Sequence, residues 1–438
     1  MITTPPAQGS PAPAARARSG EPTDAPGAEQ GLRVVLYSHD SVGLGHTRRN
    51  LAIARALSRI LPERTGRRVS GLLITGERAA TSFPCPPGFD WVVLPGICKE
   101  NRQYAPRTLN VGTRRLMDIR SSVIEGALTT FRPHICIVDR HPFGADGELV
   151  RPLAALREVK PDSTVVLGLR EVLDGPEVAR REWAQVGLDR VREAIDEIWV
   201  YGDRAVHDPI ASGEIPTELA DRTLFTGLLA DGRTMTGAVP QADRPYVLTM
   251  VGGGSDGEAL ASAAAAATLP SGVRHLVVTG PQMDPAARSR VFAHAGPGVD
   301  VLPEVPDGLA CITGAQAVLT MGGYNTITEI LSTDSPALVV PRVRPRAEQL
   351  IRAQGLASVG ALDMLHPDHL SAESVSAWLR SALTDRALGR RQHTARARLG
   401  TAGLARVGEL AARIASLTDR RPAAAGTMHS EDSHVARR

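Results

Sequence analysis

The run LRVVLYSHDSVGLGHTRRNLAIARALSRI, residues 32–60, decides the fold class because it joins a strand, a glycine-containing loop and a helix. Its first part, Leu32–Tyr37, is short and apolar, which is typical of a buried strand in a parallel sheet. Its last part, Thr47–Ile60, has apolar residues at helical spacing from Leu51 to Leu57. The order of strand, loop and helix predicts the first unit of an α/β domain.

Short apolar runs of strand type alternate with helical segments through the first half of the chain. We predict strands at Leu72–Thr75, Trp91–Leu94, Ile135–Val138, Val165–Leu169 and Ile198–Tyr201, and helices at Thr113–Thr129 and Leu149–Glu158. This alternation is typical of a parallel sheet with helices on both faces.

The pattern stops at Ala230–Arg244, which is rich in Gly, Thr, Pro and Asp and is predicted to be a linker. It restarts with a strand at Tyr246–Val251, three glycines and an Ala-rich helix at Ala259–Ala267. Later predicted strands are His275–Thr279, Ala317–Met321 and Ala337–Val340, and Glu329–Leu331 and Val375–Leu383 lie on predicted helices. The fold class is therefore α/β, with two doubly wound, Rossmann-like domains. A ligand cleft between them is expected, because open α/β sheets bind ligands at the carboxyl ends of their strands.

The two domains are placed at residues 31–233 and 241–418. Residues 1–30 and 419–438 are rich in small residues and lack apolar periodicity, so both are predicted to be disordered tails.

Charge and aromatic content exclude a nucleic-acid coat. The 438 residues include 50 basic and 47 acidic side chains, and aromatic residues make up 3%. A polyanion-binding surface would need a basic excess, and a single-strand platform would need aromatic rings. All but two of the basic residues, Lys99 and Lys160, are arginine. A single arginine is therefore a weak functional signal, and Arg342, Arg344 and Arg346 are interpreted as a solvated loop.

The four cysteines show no CxxC pair and no ligand spacing, which favours a reducing cytoplasm. The sequence has neither a signal-type apolar region at its start nor a run of about 18 apolar residues. We predict a cytoplasmic protein, and leave peripheral membrane contact and the oligomeric state open.

The first candidate for chemistry is the loop Ser38–His46, which follows the first strand and opens the first helix. Gly43 and Gly45 allow a ligand to approach the backbone, and the helix N-terminus favours negative charge. An imidazole at His46 can take a proton from an acceptor hydroxyl. The alternative is a plain turn whose His packs locally. A dinucleotide site is disfavoured, because Gly45 is not followed by x-x-Gly.

The second candidate is the turn Val251–Gly257. Its glycines, with Gly253, Gly254 and Ser255 at the centre, can present several backbone N–H groups to phosphate. A tight turn without a ligand is the alternative, and the Walker A sequence is missing.

The third candidate is Met321–Glu329, in which Gly322 and Gly323 precede a helix. Its first-turn N–H groups, near Asn325 and Thr326, can hold a phosphate. Glu329 lies about one helical turn beyond Asn325, and its carboxylate can accept hydrogen bonds from a ribose diol. Gln349, further along, can bind sugar hydroxyls. Ordinary solvated helix positions are the alternative for both side chains.

Weaker candidates follow two strands of the first half. Arg140 and His141 come after the strand that ends at Asp139, and are assigned to the acceptor side of the cleft. Arg170 and Glu171 end another strand, where an ion pair in the cleft wall is the simpler interpretation.

Together these motifs resemble GT-B glycosyltransferases of the family 28 type, which includes the N-acetylglucosaminyltransferase of lipid II synthesis. The resemblance rests on Gly43-x-Gly45-His46, on Gly252-Gly253-Gly254-Ser255, and on Gly322-Gly323 with Thr326, Glu329, Pro341 and Gln349. A bacterial group of predicted glycosyltransferases is also similar at Asp139–Gly144, Leu169–Asp174 and Val200–Asp203. The resemblance covers about residues 32–415.

The resemblance implies an N-terminal acceptor domain, a C-terminal nucleotide-sugar domain and a last helix that returns to the first domain. It implies that Glu329 binds the donor ribose, that Gln349 contacts the donor sugar, and that Gly253 and Gly254 approach the diphosphate. His46 would lie at the reaction centre. The segment Ser38–Val42 departs from the family's glycine run, so lipid II is not the expected product.

We therefore predict a glycosyltransferase that moves a sugar from a nucleoside-diphosphate sugar, with UDP expected from the resemblance, to an acceptor hydroxyl. Direct displacement with inversion is expected, with no cofactor beyond the co-substrate donor and no metal site. The acceptor is a small molecule, a lipid-linked molecule or a glycan, and no nucleic-acid partner is expected. The alternatives are a nucleotide-sugar 2-epimerase and a non-catalytic nucleotide-sugar binding protein on the same fold.

Overall fold

The computed structural model describes residues 31–39, 44–100, 103–235, 237 and 244–420, with side chains through Leu417. The predicted tail at 1–30 and residues 421–438 of the second predicted tail lie outside this part. The remaining two residues of that second tail are helical, because the last helix continues through Arg420.

The first half forms an α/β unit whose elements alternate as the sequence predicts. Its strands are β1 (Leu32–Tyr37), β2 (Val69–Thr75), β3 (Phe89–Val93), β4 (Ile97–Glu100), β5 (Gln103–Pro106), β6 (Ile135–Asp139), β7 (Thr164–Arg170), β8 (Glu197–Tyr201) and β9 (Thr223–Phe225). Its helices are α1 (Gly45–Thr65), α2 (Thr113–Phe131), α3 (Val150–Val159), α4 (Pro176–Val186) and α5 (Leu188–Ala194).

The second half repeats this plan. Its strands are β10 (Tyr246–Met250), β11 (Arg274–Val278), β12 (Val299–Leu302), β13 (Val318–Thr320), β14 (Ala337–Val339) and β15 (Asp363–Met364). Its helices are α6 (Glu258–Ala265), α7 (Pro285–Ala293), α8 (Gly308–Gly314), α9 (Tyr324–Leu331), α10 (Glu348–Ser358), α11 (Ala372–Thr384), α12 (Arg386–Arg396) and α13 (Gly403–Arg420).

Each half builds one parallel sheet. The strand order is β3-β2-β1-β6-β7-β8-β9 in the first and β12-β11-β10-β13-β14-β15 in the second. Both orders reverse beside the first strand of the half, between β1 and β6 and between β10 and β13. At such a reversal the adjoining helices lie on opposite faces of the sheet, which opens a crevice at the carboxyl ends of the strands.

Alternating side chains of β1 enter two separate cores. Val34 and Leu36 pack with α1 and α13, whereas Val35 and Tyr37 pack on the opposite face of the sheet. A strand that is covered on both faces is apolar throughout, which is why these short runs are recognisable in the sequence. The core on the α1 side continues into the second half through residues such as Leu248 and Ile327.

Helix α13 packs along α1, so the last helix does return to the first half of the chain. Gly408 of α13 is the point of close approach, because a Cβ there would lie 2.7 Å from Ile60 of α1. None of the described helices combines the length and the apolar composition needed to cross a membrane.

One element that the sequence analysis does not predict is the antiparallel hairpin of β4 and β5. Its strands are four residues each and mix polar with apolar residues, so they lack the apolar signal of a buried strand. The hairpin carries Lys99 and Tyr104, and Tyr104 contacts His39 just after β1.

Candidate active site

His46 lies in the first turn of α1, at the reversal point of the first sheet. Its ring Nδ1 is 2.5 Å from Oδ2 of Asp139, the last residue of β6. Asp139 is fully buried, whereas the His46 side chain is 21% exposed. The reversal point thus joins an accessible imidazole to a buried carboxylate.

Arg49, one turn further along α1, holds the other side of this carboxylate. Its Nη2 lies 2.5 Å and 2.7 Å from the two oxygens of Asp139. Burial raises the pKa of Asp139, but the Arg49 guanidinium and then His46 outweigh burial and hold the pKa well below its ordinary value. Asp139 is therefore ionised and can only accept hydrogen bonds.

The ionised partner fixes the tautomer of His46. Nδ1 must donate to Asp139, so Nε2 carries the free lone pair. Burial lowers the pKa of His46, and Asp139 only partly opposes this effect. The imidazole is neutral at pH 7, oriented and basic at Nε2, as a general base must be.

Asp139 begins one of the motifs that carry the family resemblance, but the sequence alone assigns it no role. The two side chains of this pair are 93 positions apart in the chain. The available signal was an acidic residue at the carboxyl end of a buried strand, next to a predicted loop that carries His46.

Two further histidines lie beside His46. The ring centroid of His39 is 5.8 Å from that of His46 and 4.3 Å from that of His141. Tyr104 of the hairpin bonds Nε2 of His39 at 3.1 Å. His141 therefore belongs to the same cluster of rings as His46, and His39 and Tyr104 are members of it that the sequence analysis did not name.

Arg140 shapes this side of the site through its backbone. Its φ is 70°, a value that residues other than glycine seldom adopt. Backbone strain of this kind concentrates at functional sites. Its guanidinium bonds Glu182 of α4 at 2.7 Å, so its charge is compensated. Gly43 lies outside the described residues. Gly45 is the first residue of α1 and has open space where a side chain would be.

No three His, Cys, Asp or Glu side chains of the described ranges are arranged to hold a metal ion.

The second half of the site lies at the reversal point of the second sheet. Helix α6 follows β10, α9 follows β13 and α10 follows β14, and all three begin without a side-chain cap. By contrast, α7, α8, α11 and α12 begin with capping Asp or Ser side chains. Uncapped N–H groups at a helix start are available to an anion.

The glycines that are predicted to line the sugar-donor site differ in what surrounds them. Gly254 has φ of 95° and its missing Cβ would collide with the Thr279 carbonyl oxygen, so packing alone requires glycine there. Gly322 also has positive φ, and a Cβ would lie 2.9 Å from Val339. Gly323, the residue before α9, has no atom within 4 Å of that position. Gly253 and Ser255 are exposed.

Glu329 is engaged in a contact between the two halves. Its Oε1 accepts from Arg48 of α1 at 2.7 Å and lies 3.4 Å from Arg233. The residue is 3% exposed, and Oε2 has no hydrogen-bond partner among the described residues. A ribose diol at this carboxylate would use Oε2 and compete with Arg48 for Oε1.

The other residues predicted to bind the sugar donor lie on α9 and α10. Asn325 donates to the Gly45 carbonyl at 2.8 Å, which brings the start of α9 against the start of α1. Thr326 is buried in the same turn. Gln349 accepts from the Arg342 backbone N–H at 3.0 Å, which fixes its side-chain oxygen and leaves the amide N–H groups for a sugar.

Ion pairs fix the two halves at the crevice wall. Arg170 bonds Glu348 of α10 at 2.7 Å, and Glu171 bonds the fully buried Arg352, which also donates to the Gly322 carbonyl. Arg342 bonds Asp256 at 3.0 Å. The expectation that Arg342 is simply solvated is therefore wrong, because it pairs with Asp256, which lies 86 positions away in the sequence.

Comparison with known proteins confirms the resemblance that the motifs indicate. Residues 248–404 match the family described as glycosyltransferase family 28 C-terminal domain. A segment of 193 residues is 31% identical to the UDP-N-acetylglucosamine--N-acetylmuramyl-(pentapeptide) pyrophosphoryl-undecaprenol N-acetylglucosamine transferase of Brucella anthropi. The segment covers 40% of this chain and 51% of that protein. The chain spans about half the length of the curated relatives it matches.

Solved structures show the same architecture along most of the chain. The kitacinnamycin glycotransferase aligns with a TM-score of 0.58 and 17% identity, over 88% of this chain and 99% of that one. MurG of Acinetobacter baumannii aligns with a TM-score of 0.53 and 15% identity, over 86% and 98%. The predicted GT-B fold with two Rossmann-like domains is confirmed.

Proposed function

We propose that this GT-B chain, whose second half matches glycosyltransferase family 28, transfers a sugar from a nucleoside-diphosphate sugar to an acceptor hydroxyl. The observation that carries the proposal is the hydrogen bond between His46, at the start of α1, and Asp139, at the end of β6. That start lies against the uncapped start of α9 through the bond from Asn325 to Gly45. This contact between the two helix starts supports a base next to a site for the leaving anion.

In the proposed reaction Nε2 of His46 takes the proton of the acceptor hydroxyl. The hydroxyl oxygen forms a bond to the anomeric carbon as the bond from that carbon to the β-phosphate oxygen breaks. The electron pair leaves with the diphosphate. Asp139 stabilises the imidazolium that forms, and one displacement inverts the anomeric configuration.

The leaving diphosphate gains negative charge as the bond breaks. Backbone N–H groups at the start of α9 and in the loop of Gly253 and Gly254 would donate hydrogen bonds to the charged phosphate oxygens. Because they are fixed before the reaction, they need no reorganisation in the transition state. We expect turnover to continue in a metal chelator.

The donor nucleoside is assigned to the second half of the chain. Glu329 would bind the ribose diol through Oε2 and, once Arg48 is displaced, through Oε1. Uridine is proposed because the name of the Brucella anthropi relative specifies a UDP-linked donor. Gln349 would contact the donor sugar through its free amide N–H groups.

A thermal-shift screen of UDP, TDP and GDP sugars tests the donor site. A ligand at about 100 times its dissociation constant stabilises the folded state by about 2.7 kcal/mol. We expect the UDP sugars to raise the melting temperature most. Absence of a shift with every nucleotide sugar would overturn the proposal. Release of an epimer or free sugar without an acceptor would indicate the epimerase alternative.

A further inference from the structure

The linker between the two halves reaches the proposed nucleoside site through one side chain, that of Arg233. Its Nη1 lies 3.4 Å from Oε1 of Glu329, and its Nη2 lies 3.4 Å from Oδ1 of Asn325. Its Nε donates to the carbonyl oxygen of Leu229 at 2.8 Å. The sequence analysis treats Ala230–Arg244 only as a connection, whereas this side chain contacts two residues that are predicted to bind the donor.

Two arginines therefore share one oxygen of Glu329. Arg48 of α1 bonds Oε1 at 2.7 Å, and Arg233 lies 3.4 Å from the same atom. A carboxylate oxygen has two lone pairs, so Oε1 has no lone pair left for a ribose hydroxyl while both cations are present. A ribose diol that uses both oxygens of Glu329 must displace one of the two arginines.

Burial determines which arginine leaves. The side chain of Arg48 is 36% exposed, whereas that of Arg233 is 7% exposed. Within the described ranges the Arg48 guanidinium has Glu329 as its only hydrogen-bond partner, so water can solvate it once it is displaced. A buried guanidinium that loses its counter-charge is far more costly. Arg48 is therefore the cation that leaves, and Arg233 is the one that stays.

The charges favour the same outcome. Burial lowers the pKa of the Arg233 guanidinium, the Glu329 carboxylate is the strongest influence that opposes burial, and Arg48 lowers the pKa again. Two guanidinium groups at one carboxylate repel each other. Departure of Arg48 removes this repulsion and strengthens the remaining pair of Arg233 and Glu329.

The guanidinium of Arg233 has a fixed orientation. Leu229, whose carbonyl accepts from Nε, is fully buried, and its own N–H donates to the Tyr324 hydroxyl at the start of α9 at 3.2 Å. Asn325, whose amide oxygen faces Nη2, donates to the Gly45 carbonyl. Because these contacts exist before a nucleotide arrives, little conformational freedom is lost when it binds.

We propose that Arg233 is a positioning residue for the donor nucleoside, which holds the Glu329 carboxylate against the ribose diol after Arg48 has been displaced. This inference rests on the proposed function, because it takes Glu329 as the residue that binds the ribose. It goes further by assigning a role to the linker. It also gives two arginines at one carboxylate opposite effects on nucleotide binding.

Calorimetry with UDP and 2′-deoxy-UDP tests the inference, since the second nucleotide lacks one hydroxyl of the diol. The wild-type chain should bind UDP about tenfold more tightly than 2′-deoxy-UDP, the usual effect of a hydrogen bond to a charged group. Arg233→Met should weaken UDP binding and abolish most of this preference, because the Glu329 carboxylate is no longer held against the diol. Arg48→Met should instead widen the preference, because Oε1 is free.

Two further variants separate positioning from a general structural effect. Arg233→Lys keeps the charge but lacks the planar fork that contacts three acceptors at once, so it should restore only part of the preference for UDP. Arg157→Met is the matched control and should keep the wild-type preference. Arg157 also bonds a carboxylate and a backbone carbonyl, those of Asp196 and Ser163, but it lies near the end of α3.

Equal losses of affinity for the two nucleotides in Arg233→Met, or an unchanged preference, would overturn the inference and leave the donor site in place. If Arg233→Met does not fold, Arg233→Lys decides, and a full wild-type preference in that variant would overturn the inference. Failure of the wild-type chain to bind either nucleotide would refute the proposed function, and this inference with it.

Discussion

Asp139 determines what His46 can do. An imidazole at a helix start is often a local packing feature, but here a buried, ionised carboxylate fixes its tautomer and directs the basic nitrogen away from the carboxylate. Arg49 is the third member of the group, because without it burial would favour a neutral Asp139. Three residues from two elements thus create one base.

The pH dependence of turnover should report this group. An imidazole base must be neutral, so kcat/KM rises with pH through the pKa of His46. Burial places that pKa below its ordinary value of about 6.5, so the rise should be centred below pH 6.5. Asp139→Asn removes an interaction that raises the pKa, so its rise should move to still lower pH. A pH–rate profile with its acidic limb above pH 7 would contradict the assignment.

Arg48 and Glu329 lead to opposite expectations for UDP affinity. Glu329→Gln removes the charged acceptor of the ribose hydroxyls and should weaken UDP binding about tenfold, as measured by calorimetry. Arg48→Met frees Oε1 and should tighten UDP binding, because the ion pair no longer competes. If Arg48→Met instead weakens binding, Arg48 contacts the nucleotide itself and the competition is ruled out.

The N-termini of helices supply most of the groups in the proposed phosphate site. The helices that begin at the crevice in the second half, α6, α9 and α10, lack side-chain caps, whereas α7, α8, α11 and α12 have them. The sequence predicts this difference only in part. Glycines before α6 and α9 are visible in it, but which N–H groups lack partners depends on the fold.

Packing of α13 on α1 should be sensitive to volume at one position. Gly408→Val would place its side chain against Ile60 and should lower the free energy of unfolding by about 1–3 kcal/mol. Gly126→Ala on the exposed face of α2 meets no atom within 4 Å and should instead stabilise by about 0.5–1 kcal/mol. Denaturant unfolding measures both. Equal effects would show that α13 does not pack as described.

At the scale of the whole molecule, the order of strands and helices is largely predictable from sequence. Buried parallel strands are apolar throughout, so β1, β6, β7 and β10 stand out as short runs. The hairpin of β4 and β5, whose short strands mix polar and apolar residues, has no such signal and is missed.

Contacts between the two halves are not predictable either, because they join residues far apart in the chain. Arg48 and Glu329 are 281 positions apart. The ion pairs at the crevice wall, including that of Glu171 with Arg352, connect the two halves in the same way. The candidate residues were therefore found individually, while their partners required the structure.

The buried pair between the halves should matter far more than an exposed pair. Glu171→Gln removes the carboxylate that is bonded to the fully buried Arg352 and should cost about 3–5 kcal/mol of stability. Glu409→Gln removes the exposed partner of Arg64 and should cost at most about 1 kcal/mol. Thermal unfolding compares them. Similar small losses would show that the halves are not held together by the buried pair.

The most direct test of the central claim is product formation from an α-linked UDP sugar, followed by mass spectrometry and by NMR of the anomeric proton. The wild-type chain should yield a β-linked product. His46→Gln should reduce the rate about 10²–10⁴-fold while UDP still raises its melting temperature, and the exposed control His294→Gln should match the wild type. An α-linked product, or an undiminished rate in His46→Gln, would contradict the account.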